Sequence, residues 1–67
     1  MELWITRDEL GLLELHHKKP IYSYMYGFGS WKYGDLIGRI DKDLLPEVTF
    51  ENSPQKVELK LVKEETK

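Results

Sequence analysis

Apolar and polar residues alternate in two neighbouring segments near the start of the chain. In ELWITR, residues 2–7, Leu3 and Ile5 fall on one face of an extended chain, and the composition favours a strand. LLELHH, residues 12–17, resumes the alternation after DELG, in which an aspartate can begin a turn and Gly11 can adopt a positive φ. This pattern predicts a β-hairpin.

Three later segments also have the pattern of strands. Residues 21–28 predict a third strand, and residues 36–40 predict a fourth, in which Gly38 suggests a bulge or a close approach of another backbone. The glycine-rich residues 27–35 between them predict a hairpin loop. KVELKLV, residues 56–62, alternates and predicts a closing strand with Val57, Leu59 and Leu61 turned inward.

The connection between the last two predicted strands is irregular. Asp41 can cap a short helical turn near residues 42–45, which Pro46 would end. EVTF, residues 47–50, predicts a short extended piece, and the ENSP that follows has the composition of a turn. No segment of the chain has the apolar period of a helix of useful length.

The predicted fold class is therefore all-β, a small antiparallel sheet or partly open barrel of about five strands. We expect a single β domain over residues 1–62 and a disordered C-terminal tail over residues 63–67. Leu44 or Leu45 is expected to plug one end of the core. The other expected core residues are Leu3, Ile5, Leu13, Leu15, Ile40, Val48, Phe50, Val57, Leu59 and Leu61.

Both ends of the chain resemble a known set of sequences. LWITRDELG at residues 3–11 and LLPEVTFENSPQKVELKLV at residues 44–62 resemble small uncharacterised proteins of gut bacteria and their phages and prophages. Those proteins typically open with a Leu-Trp-Ile strand and close with a Pro-Glu-Val-Thr-aromatic-Glu-Asn-Ser-Pro segment and a final strand. The resemblance covers about half the chain and none of its middle. It implies a shared architecture and a phage or mobile-element setting, but no activity and no site residues.

Composition and charge restrict the environment of the protein. The 67 residues include no cysteine, which excludes disulfides and thiolate metal sites and favours a reducing compartment. The net charge of −2 gives no general attraction to phosphate backbones or anionic membranes. We see no segment that could span a bilayer and no export signal, so we expect a cytoplasmic protein. A chain this short has a small core, and association should add to its stability.

Candidate catalytic and metal-binding residues are few. His16 and His17 are adjacent on a predicted strand, so they point to opposite faces and form a polar strand end rather than a chelating pair. Catalysis needs a nucleophile held against a base, or two carboxylates with separated pKa values. Ser23, Ser30 and Ser53 lie in no recognisable nucleophile motif. We therefore predict that the protein is not an enzyme and uses no metal or other cofactor.

The middle of the chain is unusually aromatic. If residues 21–28 form one strand, three tyrosines and Phe28 share one face, while Ile21 and Met25 share the other. Three buried hydroxyl groups would need hydrogen-bond partners that a small core can hardly supply. An exposed aromatic stripe is typical of a binding surface, so we expect Ile21 and Met25 to pack on the core and the rings to face a partner.

These observations favour a small non-enzymatic protein-interaction module. Its partner would be a second copy, in a homodimer with Tyr24 and Tyr26 near the contact, or a host protein that a phage-encoded inhibitor blocks. The alternative is a single-stranded nucleic-acid binder that stacks bases on the same rings, although few basic residues surround them. The candidate partner-binding residues are Tyr22, Tyr24, Tyr26, Phe28, Trp31 and Tyr33.

Overall fold

Strand pairing divides the chain into two antiparallel sheets in the computed structural model, which describes residues 2–62. The six strands are β1 (Glu2–Arg7), β2 (Leu13–His16), β3 (Ile21–Met25), β4 (Phe28–Lys32), β5 (Leu36–Ile40) and β6 (Gln55–Glu58). One sheet has the order β5-β2-β1-β6, and β3 and β4 form a separate pair. The predicted all-β antiparallel class is confirmed, as two open sheets. The tail predicted at residues 63–67 lies outside the described residues.

The first hairpin forms as predicted, because its turn chemistry is local. The Asp8 carboxylate accepts hydrogen bonds from the backbone N–H groups of Leu10 and Leu12, both at 2.9 Å. Gly11 has a φ of 91° and donates its N–H to the Asp8 carbonyl at 3.0 Å. The predicted positive φ at Gly11 is therefore confirmed, and β1 and β2 pair in an antiparallel register on either side of the turn.

The prediction of one strand over residues 21–28 and a loop over residues 27–35 is wrong. The third strand ends at Met25, and the chain reverses through Tyr26 and Gly27, whose φ values are 54° and 82°. Two positive φ values in a two-residue loop are characteristic of a type I′ turn, which suits the twist of a β-hairpin. Phe28 then pairs with Met25 and begins β4. Of the glycines that predicted a loop, Gly27 lies in the turn, Gly29 lies in β4 and Gly34 follows β4.

The fourth predicted strand, now β5, is confirmed together with its bulge. Leu15 of β2 lies opposite Gly38, whereas the next residue, His16, lies opposite Leu36. Ile37 is therefore an extra residue on β5, which is the definition of a bulge.

The hydrophobic core lies on one face of the four-stranded sheet. Its buried residues are Leu3, Ile5, Leu13 and Val48, with Leu15, Ile40 and Val57 partly buried at its margin. Val48 comes from the irregular connection and is buried as predicted, whereas Leu44 and Leu45, one of which was expected to plug an end of the core, are both exposed. Phe50 is half-buried and packs on the second sheet instead.

The prediction that Leu59 and Leu61 lie in the core is wrong. Their relative exposures are 60% and 99%. The reason is the register of β6: Glu58 pairs with Glu2, the first residue described, so residues 59–62 extend past the paired part of β1. Their alternating pattern finds no strand beside it among residues 2–62.

The opposite face of this sheet buries a polar pair. His16 and Thr6 are almost fully buried, and the His16 Nε2 lies 3.0 Å from the Thr6 hydroxyl. The connections around the second sheet cover this face, since the backbone N–H of Lys18 bonds the Gly34 carbonyl at 2.8 Å. Burial lowers the pKa of His16, with a smaller opposing effect from Glu14. His16 is the last residue of β2, in keeping with the predicted polar strand end, but its burial was not predicted; His17 is exposed.

The irregular connection is built from side-chain caps rather than from regular structure. The Asp41 carboxylate accepts the N–H of Asp43 at 2.9 Å, which caps a turn but begins no helix. Thr49 and Asn52 cap each other: the Thr49 N–H donates to the Asn52 side chain at 2.8 Å, and the Asn52 N–H donates to the Thr49 hydroxyl at 3.2 Å. Residues 47 and 50 lie in turns and residues 48–49 between them are irregular, so the predicted extended piece at 47–50 does not form a strand.

Candidate protein-binding surface

The β3–β4 hairpin is anchored to the larger sheet at its base. The ring of Tyr22 packs edge-to-face against Trp31 and Phe50, with centroid distances of 5.1 Å and 4.9 Å. The Trp31 indole N–H donates to the Arg7 carbonyl at the end of β1, at 3.2 Å. Edge-to-face pairs add to the stabilisation that burial provides. The base of the hairpin is thereby held in place while its turn projects away.

The hydroxyl of Tyr22 is held by the first hairpin. It donates a short hydrogen bond to the carboxylate of Glu9, in the turn between β1 and β2. The same ring lies across Gly29, where any Cβ would overlap the ring. Any other residue at this position would displace the ring of Tyr22. The bond to Glu9, reinforced by burial, raises the pKa of Tyr22 to about 12.

Alkaline titration should detect this bond. A tyrosine whose pKa is raised above its ordinary value of about 10 stabilises the fold in its protonated form. That contribution is complete below about pH 10 and is lost as the pH rises through about 12. We expect a tyrosinate absorbance step near pH 12 that is absent from Tyr22→Phe and present in the control Tyr24→Phe. A late step that survives in Tyr22→Phe would contradict the assignment.

The tip of the β3–β4 hairpin exposes its rings on two faces rather than one. Tyr24 is exposed on the face of Tyr22, whereas Phe28, which is 80% exposed, lies opposite Met25 on the other face. The prediction of a single four-ring stripe is wrong because the turn ends the strand before Phe28. The prediction that Ile21 and Met25 pack on the core is also wrong, since both are exposed.

The structure separates the six predicted site residues into three places. Tyr22 and Trp31 are half-buried at the base of the hairpin. Tyr24, Tyr26 and Phe28 surround its exposed tip, and the side chain of Tyr26 is 91% exposed. Tyr33 follows β4, at the end of the hairpin away from the turn. It is exposed and has a φ of 67°.

Sequence reasoning missed the contribution of the first turn to this surface. A depression of about 260 Å3 lies between the two hairpins, and its lining residues are Asp8, Glu9, Leu10, Tyr24, Gly27, Phe28 and Gly29. Leu10 is highly exposed. A leucine in the polar turn DELG is the signal that could have marked it. We call this depression, together with Tyr26 beside it, the tip surface.

The tip surface combines aromatic rings with negative charge. Among the described residues 2–62, the charged side chains that line the depression are those of Asp8 and Glu9. Tyr24 and Phe28 line it as well, and the face of an aromatic ring carries the negative side of its quadrupole. Such a site attracts a cationic side chain and repels phosphate.

Tyr26 has a backbone conformation that is unfavourable for tyrosine. Its φ of 54° places an aromatic residue in the left-handed region, at the first position of a turn that usually holds asparagine, aspartate or glycine. This conformation costs a non-glycine residue about 1 kcal/mol. Strained residues of this kind concentrate at functional sites, and an exposed ring at the extreme of a hairpin has no packing role that would offset the cost.

The remaining chemistry of the described residues is limited. Residues 2–62 contain no group of three or more side chains placed to hold a metal ion. Within the same range, no helix is long and apolar enough to cross a membrane. Comparison of the chain with protein-family models, with curated proteins and with solved structures found no match.

Proposed function

We propose that the chain is a small non-enzymatic protein-interaction module that binds a basic segment of a foreign protein at the tip surface. The observation that carries this proposal is Tyr26, a strained and almost fully exposed ring beside an acidic, aromatic depression. Exposed tyrosines supply large contact areas at a low cost in side-chain entropy, and they are frequent among the residues that dominate binding energy.

The depression is suited to a lysine or arginine of the partner. The methylene groups of such a side chain would pack on Leu10 and Phe28, and its charged end would meet the carboxylate of Glu9 or the face of Tyr24. A carboxylate that shares a site with an aromatic ring adds a charge-assisted hydrogen bond to the cation–π attraction. Apolar residues of the partner would cover Tyr26 and Met25 around this contact.

The phage or prophage setting that the sequence resemblance implies suggests a biological role for the interaction. A small module encoded by a phage or prophage could bind a host protein in the cytoplasm and block its surface, and the lack of cysteines suits that compartment. We do not propose the nucleic-acid alternative. The carboxylates of Asp8 and Glu9 line the same depression as the rings, and they would oppose a phosphate backbone.

Selection of random peptides on the immobilised chain tests the chemistry of the partner. We expect the selected peptides to contain arginine or lysine next to apolar residues, and their affinity to fall as salt is added. Selection of acidic peptides would contradict the proposed site. So would an affinity that stays unchanged at high salt.

Tyr26→Asn separates binding from folding. Asparagine tolerates the left-handed conformation, so this variant should be more stable by about 0.5–1 kcal/mol, a rise in Tm of about 2–8 °C. It should bind a selected basic peptide at least about tenfold more weakly, as expected for the loss of a dominant ring. Thermal melts and titration calorimetry would measure the two effects.

Tyr33→Asn is the matched control. Tyr33 also has a positive φ and an exposed ring, but it lies at the end of β4 away from the turn and outside the tip surface. The control should gain similar stability and keep its peptide affinity. If Tyr26→Asn behaved like Tyr33→Asn in both measurements, the tip would not be the binding site.

A further inference from the structure

The last strand of the larger sheet is shorter than its sequence pattern. KVELKLV alternates over residues 56–62, but β6 ends at Glu58, which pairs with Glu2, the first described residue of β1. Leu59, Leu61 and Val62 follow it with most of their surface exposed. β6 is also an edge strand, and no strand of residues 2–62 pairs with its outer side. Unpaired edges with apolar alternation are sites where another strand can add.

An open apolar groove lies beside this edge. It has a volume of about 310 Å3 on the core face of the sheet, and it extends from Leu3 and Leu15 across Val57 to Leu59. Val57 and Leu59 therefore share one face of the segment, as the alternation requires. The apolar face of the sheet continues to the edge without a covering layer at that point.

The edge segment is complementary to itself. If two copies pair in an antiparallel register centred on Leu59, the Val57 of one copy lies opposite Leu61 of the second copy. In the same register Glu58 lies opposite Lys60 of the second copy, and the reverse pair forms by symmetry. Glu58 and Lys60 already share one face, since their charged atoms are 3.6 Å apart in the single chain. One register thus matches apolar residues on one face and opposite charges on the other.

We propose that two copies of the chain associate through β6 and residues 59–62, in a two-fold dimer with a continuous sheet across the contact. The axis passes through the Leu59 pair, perpendicular to the sheet, so the apolar faces of both copies lie on the same side. Each copy contributes the order β5-β2-β1-β6, and the two β6 strands are neighbours at the centre. Leu59 and Leu61 are then covered by the second copy, which gives their alternating pattern a role.

The other edge of the sheet is less suited to this contact. The bulge at Ile37 interrupts the regular ladder of β5, a device that blunts sheet edges. Gly38 also leaves a gap in the side chains of that strand. The dimer contact therefore moves from Tyr24 and Tyr26, where the sequence placed it, to β6, and both hairpin tips stay free.

Charge reversal in the proposed register tests the contact. Glu58→Lys places lysine opposite Lys60 in both symmetric pairs, and Lys60→Glu places two acids together. Each single variant should weaken dimerisation by about tenfold or more, and the double variant should restore it because opposite charges face each other again. Sedimentation velocity over a concentration series measures the dissociation constants, and the Tm of the wild type should rise with concentration.

Two further variants keep the test decisive. Leu61→Asp changes a fully exposed residue, so the monomer should keep its circular dichroism spectrum while the dimer is lost. Tyr24→Ser with Tyr26→Ser should leave the dimer intact. A wild-type chain that stays monomeric at about millimolar concentration would overturn the proposal. So would single charge reversals that leave dimerisation unchanged, or loss of the dimer in the double tyrosine variant. None of these outcomes depends on whether the tip surface binds a foreign protein.

Discussion

Arg7→Met should leave the chain largely unfolded at room temperature. Arg7 ends β1, and its guanidinium group has five N–H donors in a fixed plane. Each of the five has a backbone carbonyl acceptor: Val48 at 2.5 Å, Gly11 at 2.6 Å, Lys42 at 3.1 Å, Leu45 at 3.2 Å and Leu44 at 3.4 Å. One side chain therefore holds the irregular connection against the first hairpin, and with it the core residue Val48.

The expected loss of stability in Arg7→Met depends on how many of these hydrogen bonds water can replace. The bonds to Val48 and Gly11 are partly buried, whereas those to Lys42, Leu44 and Leu45 are exposed. Two poorly hydrated carbonyl groups without donors cost about 1–3 kcal/mol each, so we expect a loss of about 2–6 kcal/mol. A chain of this size has only about 3–5 kcal/mol of net stability.

Two comparisons assign this effect to the guanidinium group. Arg39→Met is the matched control, because Arg39 is exposed and its guanidinium group pairs with the Glu14 carboxylate at 3.5 Å; we expect it to change stability by less than about 0.5 kcal/mol. Arg7→Lys keeps the charge with three donors in place of five, and it should fall between the wild type and Arg7→Met. Urea titrations followed by circular dichroism measure all three. Equal midpoints for Arg7→Met and Arg39→Met would refute the role of Arg7.

Sequence reasoning succeeded where the determinants of structure are close together in the chain. The first hairpin depends on alternation within two short strands and on the turn between them, in which Asp8 and Gly11 have strong local preferences. The same reasoning identified β5, since a short run of β-formers with an internal glycine predicts a strand with a bulge or a close backbone approach, and the structure has the bulge. These elements make the all-β class predictable from the sequence alone.

Sequence reasoning failed where contacts between residues distant in the chain determine the structure. Arg7 looks like an ordinary polar residue at a strand end, and nothing in its sequence neighbourhood indicates carbonyl groups from residues 42–48. His16 is buried because the connection at Gly34 crosses its face of the sheet. In the second sheet, the glycines that predicted a loop have different roles: Gly27 supplies a positive φ, and Gly29 makes room for the ring of Tyr22.

The candidate site was predictable only in part. Composition was sufficient to indicate an exposed aromatic surface, and Tyr24, Tyr26 and Phe28 lie together at one hairpin tip. Their division between two faces depends on where the chain reverses, and Tyr-Gly is an uncommon pair for a type I′ turn. The acidic wall that Asp8 and Glu9 provide comes from the other hairpin, so no local pattern could have placed it beside the rings.

Leu13→Ala and Leu59→Ala should differ widely in their effect on stability, although the sequence pattern treats both leucines as core residues. Leu13 is completely buried against Ile5 and Val48. Its truncation removes the transfer free energy of the lost atoms and leaves a cavity, at a total cost of about 2–5 kcal/mol. We expect Leu13→Ala to be largely unfolded at room temperature, because that loss is comparable to the whole stability of so small a domain.

Leu59→Ala should cost less than about 1 kcal/mol in the monomer, because more than half of the Leu59 surface is already in contact with water. The comparison must be made at micromolar concentration or below, where association through β6 does not contribute. At high concentration the same variant should lose the extra stability that the wild type gains from dimerisation, so its Tm should no longer rise with concentration. Equal destabilisation of the two variants in dilute solution would mean that residues 59–62 pack on the sheet of their own chain. In that case the strand extends as the alternation of KVELKLV predicts, and the edge of β6 is not available to a second copy.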